Sequence, residues 1–222
     1  ASVGCMEFEM DRWSVDVAVT CSQKGLMMTP GLSFLAASAK ARAAHAGAGL
    51  RTAYWDWTAR EMPENYRKFC GTAPEHMLFG LQASLGLLFA EGLENAWTRH
   101  AALAGAVRAA VAAWAEGGAM AFNVEVPAER SPSVTTVLTP GFDPERLRGF
   151  ARENLGVVLG SGIGELAGRA FRIAHMGYAN APMVLGTLGS VEVALGALGL
   201  PHGAGGSGAA AAALARHFGA GR

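Results

Sequence analysis

Lys24 is the side chain best placed in this sequence for chemistry that uses an amine. The chain has lysines only at positions 24, 40 and 68, and arginine supplies nearly all of its other positive charge. Lys24 alone lies in a turn-rich stretch between two mostly apolar segments, residues 15–20 and 32–37. An amine that is held in a site and partly removed from water can attack a carbonyl carbon. On these residues alone, however, an exposed lysine in a turn is the commoner arrangement.

Three polar side chains could assist such an amine. Ser22 and Gln23 immediately precede the lysine, and a hydroxyl and an amide can bind a phosphate group without adding charge. Arg172 lies in the apolar segment 170–175, and a planar guanidinium can make two parallel hydrogen bonds to a carboxylate. Without further context, an exposed strand arginine is the commoner reading of this pattern.

Metal and thiol chemistry have weaker support. His76, His100 and His175 show no ligand spacing with carboxylates or cysteines, so we expect them in packing or helix-surface roles and predict no metal site. The three cysteines have no CxxC spacing, which favours neither a disulfide framework nor zinc. Cys21 has no assignable histidine partner, and we expect it to be a small buried residue.

Two glycine-rich stretches could be mistaken for phosphate-binding loops. Residues 203–208 match GxGxxG, but no strand immediately precedes them, so we expect a flexible loop. Residues 160–164 could form a nest of backbone N–H groups. We interpret them as a structural loop.

The elements that must position these residues indicate an α/β protein. Periodicity and turn residues predict strands at 15–20, 32–37, 119–124, 134–138, 156–159 and 170–175. They predict helices at 38–48, 74–92, 94–114, 143–154 and 181–198, with an alanine-rich terminal helix after residue 203. Residues 49–71 are expected to be irregular. The order suggests the end of a larger domain, residues 1–92, followed by a small α/β domain, residues 93–222.

Charge and hydropathy indicate which partners the protein could bind and in which compartment it would occur. Eighteen basic and eighteen acidic residues cancel and are scattered, so we predict no binding to nucleic acid. No uninterrupted apolar run is long enough to cross a bilayer, and we predict no membrane association. The first residues lack the pattern of a secretory signal. We therefore expect a cytoplasmic protein.

Residues 11–32 resemble the cofactor-lysine segment of the class V aminotransferases, in the branch that contains the serine–glyoxylate and alanine–glyoxylate aminotransferases. That pattern runs approximately D-x-W-x-V-D-V-x-x-x-G-S-Q-K-x-L-x-x-P-P-G. The chain keeps its Trp13, Asp16, Ser22, Gln23, Lys24, Pro30 and Gly31. It departs from the pattern at Cys21, which replaces a glycine, and at Thr29, which replaces the first proline.

Later segments agree with the same family in order and spacing. Residues 72–81 and 89–100 resemble its T-x-P helix and its E-G-L-E-x-x-W-x-R-H run, and residues 170–177 resemble its R-I-G-H-M-G segment. The family's threonine reaches the cofactor phosphate of the neighbouring subunit, a role that passes to Thr72. An aromatic residue three positions earlier, commonly tyrosine, does likewise, but here it is Phe69, which has no hydroxyl. Tyr66 is a weak substitute.

The resemblance implies a fold, a cofactor and a reaction. The fold is the aspartate-aminotransferase-like fold type I of pyridoxal 5′-phosphate (PLP) enzymes, and Lys24 is its Schiff-base lysine. Gln23, Ser22, Thr72 and Ser2 would contact the cofactor, and Arg172 would bind the substrate carboxylate. The ring-binding aspartate would lie a few residues before Ala1. The reaction would move an amino group from serine, alanine or aspartate to glyoxylate or a similar 2-oxo acid, in a homodimer.

Two alternatives remain open from the sequence. The departures at Cys21, Thr29 and Phe69 fit a truncated or degenerate family member without catalysis. Another class V activity is the second alternative, such as a pyridoxamine–pyruvate aminotransferase or a cysteine desulfurase. A desulfurase needs a mobile cysteine late in the chain, and no cysteine follows Cys70.

Overall fold

The computed structural model describes residues 2–219, which form an α/β structure with two separate antiparallel sheets. The strands are β1 (Val17–Cys21), β2 (Ser33–Ala37), β3 (Ala121–Phe122), β4 (Val134–Leu138), β5 (Gly160–Ser161) and β6 (Ala170–Ala174). The helices are α1 (Ala39–Ala46), α2 (Trp57–Arg60), α3 (Asn65–Lys68), α4 (Glu75–Glu91), α5 (Leu93–Ala115), α6 (Pro144–Leu155), α7 (Ala181–Ala197) and α8 (Gly206–Gly219). The predicted α/β class is confirmed.

Strands β1 and β2 form a hairpin whose connection carries Lys24. They pair antiparallel with Val19 opposite Leu35. A two-stranded hairpin has little stability of its own in water. Its connection is anchored by Leu26, which packs with Leu88 of α4 and Ala96 of α5 in a small apolar cluster. The position of Lys24 therefore depends on the two long helices.

Helices α4 and α5 meet at Gly92 with an angle of 86° between them. Gly92 has a φ of +89°, a conformation that residues with a side chain rarely adopt. Among the described residues, no single helix is long and apolar enough to span a membrane, and only this bent pair meets the criterion, by length and composition. The bend lies at the predicted boundary between residues 1–92 and 93–222, although the division into two domains stays a prediction.

The larger core surrounds α5 and positions the second sheet. Trp114, Val107 and Val111 of α5 are fully buried there, together with residues of α6, α7, α8 and the sheet. The strand order is β3-β4-β6-β5, so β6 is an interior strand. Arg172 of β6 lies opposite Thr136 of β4 on one side and Gly160 of β5 on the other.

Two local predictions are wrong. The predicted strand 156–159 is absent, because Gly156 takes a left-handed conformation (φ +67°) that ends α6, and the strand forms later, at Gly160–Ser161. The segment 49–71, predicted to be irregular, contains the short helices α2 and α3. In α2 the side chain of Asp56 accepts a hydrogen bond from the backbone N–H of Thr58 and so caps the helix.

The predicted flexible loop at residues 203–208 is correct only in part: residues 203–205 lie outside regular structure, but α8 already begins at Gly206, which is closely packed. A Cβ atom on Gly206 would lie 2.1 Å from Nε1 of Trp114, so only glycine fits there. The Glu192 carboxylate accepts hydrogen bonds from the backbone N–H groups of Gly206 and Ser207, both at 2.9 Å. An acidic side chain at a helix N-terminus is stabilising. This pairing begins α8 on the surface of α5.

We expect Gly206→Ala to lower the free energy of unfolding by about 1–3 kcal/mol, because the added methyl group overpacks the indole of Trp114. Gly208→Ala is the matched control in the same helix, since no atom lies within 4 Å of its added Cβ. Alanine there should raise stability by roughly 0.5–1 kcal/mol through helix propensity. Urea unfolding would measure both variants, and equal midpoints would contradict the packing.

Candidate active site

The turn that carries Lys24 is closed by backbone hydrogen bonds. The N–H of Met28 donates to the carbonyl of Ser22, and the N–H of Met27 donates to the carbonyl of Lys24 itself, both at 3.0 Å. Lys24 is half-buried, and Gln23 is exposed. Within residues 2–219 the amine of Lys24 has no carboxylate partner within salt-bridge distance. A free amine is therefore presented from a fixed turn.

The hydroxyl of Ser22 holds the two ends of this connection together. It donates to the carbonyl of Thr29 at 2.7 Å and accepts from the N–H of Leu32 at 3.2 Å, and the residue is fully buried. These contacts make Ser22 a residue that shapes the turn. Its predicted contact with the cofactor stays a prediction and would require one of these partners to be exchanged.

Residues 3–5 pack directly against the turn that carries Lys24. A Cβ on Gly25 would lie 2.0 Å from the carbonyl oxygen of Val3 and 2.9 Å from the sulfur of Cys5, so the two segments approach as closely as backbone allows. Cys5 is fully buried, and burial raises the pKa of its thiol. Sequence reasoning did not identify this packing role of Cys5. The expectation of a buried Cys21 is wrong, since Cys21 is only half-buried.

Ser2 lies in the same segment and joins it to the second sheet. Its hydroxyl is within hydrogen-bond distance of the hydroxyls of Ser131 (3.0 Å) and Ser133 (3.3 Å), which are themselves 2.8 Å apart. The predicted contact of Ser2 with a cofactor stays a prediction. Its observed partners are these two serines, which lie just before β4 and which sequence reasoning did not identify.

Arg172 is oriented by strand β5. Its Nε donates to the carbonyl of Ser161 at 2.7 Å, and among the described residues its guanidinium has no carboxylate partner. A Cβ on Gly160 would lie 3.2 Å from Cβ and 3.4 Å from Nε of Arg172, so glycine leaves the side chain its space. This arrangement leaves the two terminal nitrogens available for a carboxylate.

The segment that continues from β6 reaches the lysine turn. Gly177 has a φ of +76°, and a Cβ there would lie 3.3 Å from the carbonyl oxygen of Lys24. Arg172 is five residues from Gly177, so their Cα atoms are at most about 18 Å apart. The structure therefore brings the turn of Lys24, the segment of Ser2 and the end of the Arg172 strand into one region.

Thr72 lies before α4 and is exposed. Its hydroxyl has no hydrogen-bond partner among residues 2–219, which leaves it available to a ligand or a second subunit. Phe69 is 39% exposed, and α4 contacts the lysine connection through Met77, whose sulfur accepts a hydrogen bond from the hydroxyl of Thr29 at 3.8 Å. The predicted phosphate contact of Thr72 stays a prediction.

His175 is a satisfied structural histidine. Its Nδ1 lies 2.8 Å from the carbonyl oxygen of Pro132 and its Nε2 lies 3.0 Å from the hydroxyl of Thr135. Burial lowers the pKa of His175 to about 4, so the ring is neutral near pH 7. The expected packing role is confirmed. In the described part of the chain, no group of three or more His, Cys, Asp or Glu side chains could hold a metal ion.

Acidification should destabilise the fold through His175. Because its pKa falls from 6.5 when unfolded to about 4 when folded, the unfolded state binds the extra proton between these values. The contribution of His175 to the free energy of unfolding is fully present above pH 6.5. It decreases as the pH falls towards 4, by up to about 1.4 kcal/mol per pH unit. Chemical unfolding of His175→Gln at several pH values should show a smaller loss than the unmodified protein, and exposed His76→Gln should not. Identical pH slopes would refute the assignment.

Solved structures with the same fold define the class of protein. The chain is similar to pyridoxamine–pyruvate aminotransferase of Mesorhizobium loti, with a TM-score of 0.84 and 31% identity over 96% of this chain and 55% of that one. It is similar to ureidoglycine–glyoxylate aminotransferase of Bacillus subtilis, with a TM-score of 0.82 and 26% identity over the same shares. The fold is that of the fold type I PLP-dependent aminotransferases.

The sequence gives the family within that class. The family profile described as Aminotransferase class-V matches residues 1–174, and this chain belongs to that family. It is 40% identical to L-aspartate–glyoxylate aminotransferase of Paracoccus denitrificans, over 90% of this chain and 50% of the relative. It is 37% identical to serine–glyoxylate aminotransferase of Methylorubrum extorquens, over 88% and 49%. The chain spans about half the length of these relatives, and its family implies PLP as the cofactor.

Proposed function

We propose that the protein to which this chain belongs is a PLP-dependent aminotransferase that moves an amino group from serine, alanine or aspartate to glyoxylate or a similar 2-oxo acid. One observation carries the proposal: the turn that presents the Lys24 amine packs against the continuation of the strand that presents Arg172. Relatives named as aspartate–glyoxylate and serine–glyoxylate aminotransferases support the substrate class.

The available side chains match the chemistry of the cofactor. Lys24 offers an amine without a carboxylate partner in the described chain, which suits condensation with an aldehyde. Gln23 and Thr72 are exposed and neutral, and both can donate hydrogen bonds to a phosphate. We assign these two residues to the phosphate, with Thr72 serving the partner subunit of a homodimer.

Each residue has a distinct task in the reaction. PLP, when bound, supplies the electron sink that stabilises negative charge at the substrate Cα. The amine of Lys24 would hold the cofactor covalently and, as a free amine, would take the proton from the substrate Cα. Arg172 holds the donor carboxylate and thereby fixes which Cα bond is presented for cleavage. Ser22 keeps the lysine turn closed throughout.

The degenerate alternative is weakened by what the departing residues do. Thr29 replaces a proline, but its contribution to the turn is a backbone carbonyl, which accepts from Ser22 and which proline also has. Cys21 ends β1 and pairs with Ser33 of β2, so the hairpin forms with cysteine at this position. Neither substitution disturbs the turn.

Assembly and location follow from the same proposal. Thr72 is exposed and lacks a partner among residues 2–219, which supports a homodimer with a shared site. The three cysteines are free, which supports a reducing cytoplasm. Mass measured alongside activity across a dilution series would check the dimer, and a fully active monomer would exclude the shared site.

The function is tested with the full-length protein loaded with PLP. We expect glycine to form from glyoxylate with at least one of serine, alanine and aspartate as donor. A panel that adds pyridoxamine with pyruvate separates the second candidate, which the structural likeness to a pyridoxamine–pyruvate aminotransferase favours. Turnover of pyridoxamine alone would replace the proposal, and a bound cofactor without any turnover would support the degenerate alternative.

A further inference from the structure

Glu91 and Arg99 form an ion pair across the bend between α4 and α5. They are eight residues apart, a distance of about 12 Å along a straight helix. Because the helices turn by 86° at Gly92, the side chains meet: Arg99 donates from Nε to Oε1 of Glu91 at 2.6 Å and from Nη2 to Oε2 at 2.8 Å. Two parallel hydrogen bonds of this kind require the planar guanidinium.

The remaining terminal nitrogen of Arg99 binds the segment that follows β6. Nη1 donates to the carbonyl oxygens of Gly177 at 2.9 Å and Ala179 at 2.8 Å. The hydrogen bond with Glu91 raises the pKa of Arg99 and lowers the pKa of Glu91, so both groups stay charged near neutrality. One side chain thus connects α4, α5 and residues 177–179.

This connection ends at the reactive lysine. A Cβ atom on Gly177 would lie only 3.3 Å from the carbonyl oxygen of Lys24, so the two backbone segments pass close to each other, and that oxygen also accepts the N–H of Met27. The buried apolar cluster at this junction is small: Leu26, Leu88 and Ala96, with Met27, Phe34 and Leu85 packed partly buried against it. Polar contacts must therefore supply much of the precision with which the lysine turn faces the strand of Arg172.

We propose that Arg99 is a positioning residue for the reaction: with Glu91 it fixes the segment 177–179 and thereby the distance between the amine of Lys24 and the guanidinium of Arg172. The inference rests on the proposed function. Proton transfer at the substrate Cα is sensitive to errors of about 1 Å, which can cost roughly 100-fold in rate. Binding of the substrate carboxylate by Arg172 does not require the same distance.

The test compares Arg99→Lys with Arg148→Lys in the full-length enzyme loaded with PLP. Both arginines have side chains that are 23% exposed, and both bind a glutamate and a backbone carbonyl, but Arg148 lies on α6. A lysine keeps the charge and loses the parallel hydrogen bonds. For Arg99→Lys we expect kcat to fall roughly 10- to 100-fold with the dissociation constant of the donor within about twofold. Arg148→Lys should keep both values.

A second measurement is independent of turnover. Amide hydrogen exchange of Met27 and of residues 177–179 should accelerate about tenfold or more in Arg99→Lys, because the carbonyl contacts that hold this segment are lost. Unchanged exchange and unchanged kcat would overturn the inference while leaving the proposed function intact. An inactive unmodified enzyme would overturn the proposed function and this assignment with it. Equal losses in Arg99→Lys and Arg148→Lys would reduce Arg99 to a stabilising residue.

Discussion

Lys24→Ala is expected to lower kcat of the full-length enzyme by roughly a thousandfold or more, because one substitution removes both the covalent attachment of the cofactor and the base that acts on the substrate Cα. The visible absorbance band of the lysine-bound cofactor should disappear in the same variant. The turn should survive, since its hydrogen bonds come from the backbone and from the hydroxyl of Ser22. Absorbance spectra and initial rates with glyoxylate measure both effects.

Lys40→Ala is the matched control for this substitution. Lys40 is an exposed lysine at the start of α1, and its amine lies 2.7 Å from the carboxylate of Asp16. An exposed pair of this kind contributes little to stability, so the spectrum and kcat should be unchanged. Small primary amines added to Lys24→Ala should restore part of the rate, since they can replace the missing base. A Lys24→Ala enzyme that retains its band and its rate would exclude Lys24 as the reactive amine.

Arg172→Lys is expected to have the second-largest effect, a loss of roughly 10- to 100-fold in kcat/KM for the amino donor. A lysine offers a point charge in place of two parallel hydrogen bonds, and hydrogen bonds to charged groups contribute about 1.5–3 kcal/mol. It also lacks the Nε that binds the carbonyl of Ser161. The loss should occur with the 2-oxo acid as well, because donor and acceptor carry the same carboxylate.

Two neighbours of Arg172 show whether its orientation matters. Ser161→Ala keeps the backbone carbonyl that accepts from Nε, so we expect no change in KM. Gly160→Ala adds a methyl group within 3.4 Å of that nitrogen and should weaken donor binding several-fold by displacing the guanidinium. Arg172→Lys kinetics equal to those of the unmodified enzyme would remove Arg172 from the substrate site.

The sequence was sufficient to nominate Lys24 and Arg172 as candidate site residues but not to predict the contacts that hold them. Lys24 and Arg172 stand in motifs, so their types and spacing were readable along the chain. The close approaches of Gly25 to Val3, and of Gly177 to Lys24, join positions far apart in sequence, and they depend on backbone conformation. Residue types along the chain do not predict which distant backbone segments lie close together in the fold.

The wrong local predictions have the same origin. The segment 203–208 has the composition of a free loop, and what orders it is the Glu192 carboxylate and the indole of Trp114 from two other helices. The segment 156–159 has strand-forming residues, but its first residue, Gly156, is the C-cap that ends α6. Long helices were predicted well because their apolar periodicity is local, whereas these two outcomes were decided by tertiary neighbours.

Because α8 packs on α5, truncation of the chain before α8 should destabilise the fold. Gly206, Ala210 and Leu214 are the buried positions of α8, and a stop codon before residue 206 would leave Trp114 facing solvent and the Glu192 carboxylate without its backbone donors. Such a product would keep every residue assigned to catalysis and should nevertheless be degraded or aggregate in the cell. A frameshift shortly before the codon of Gly206 should therefore behave as a loss-of-function allele.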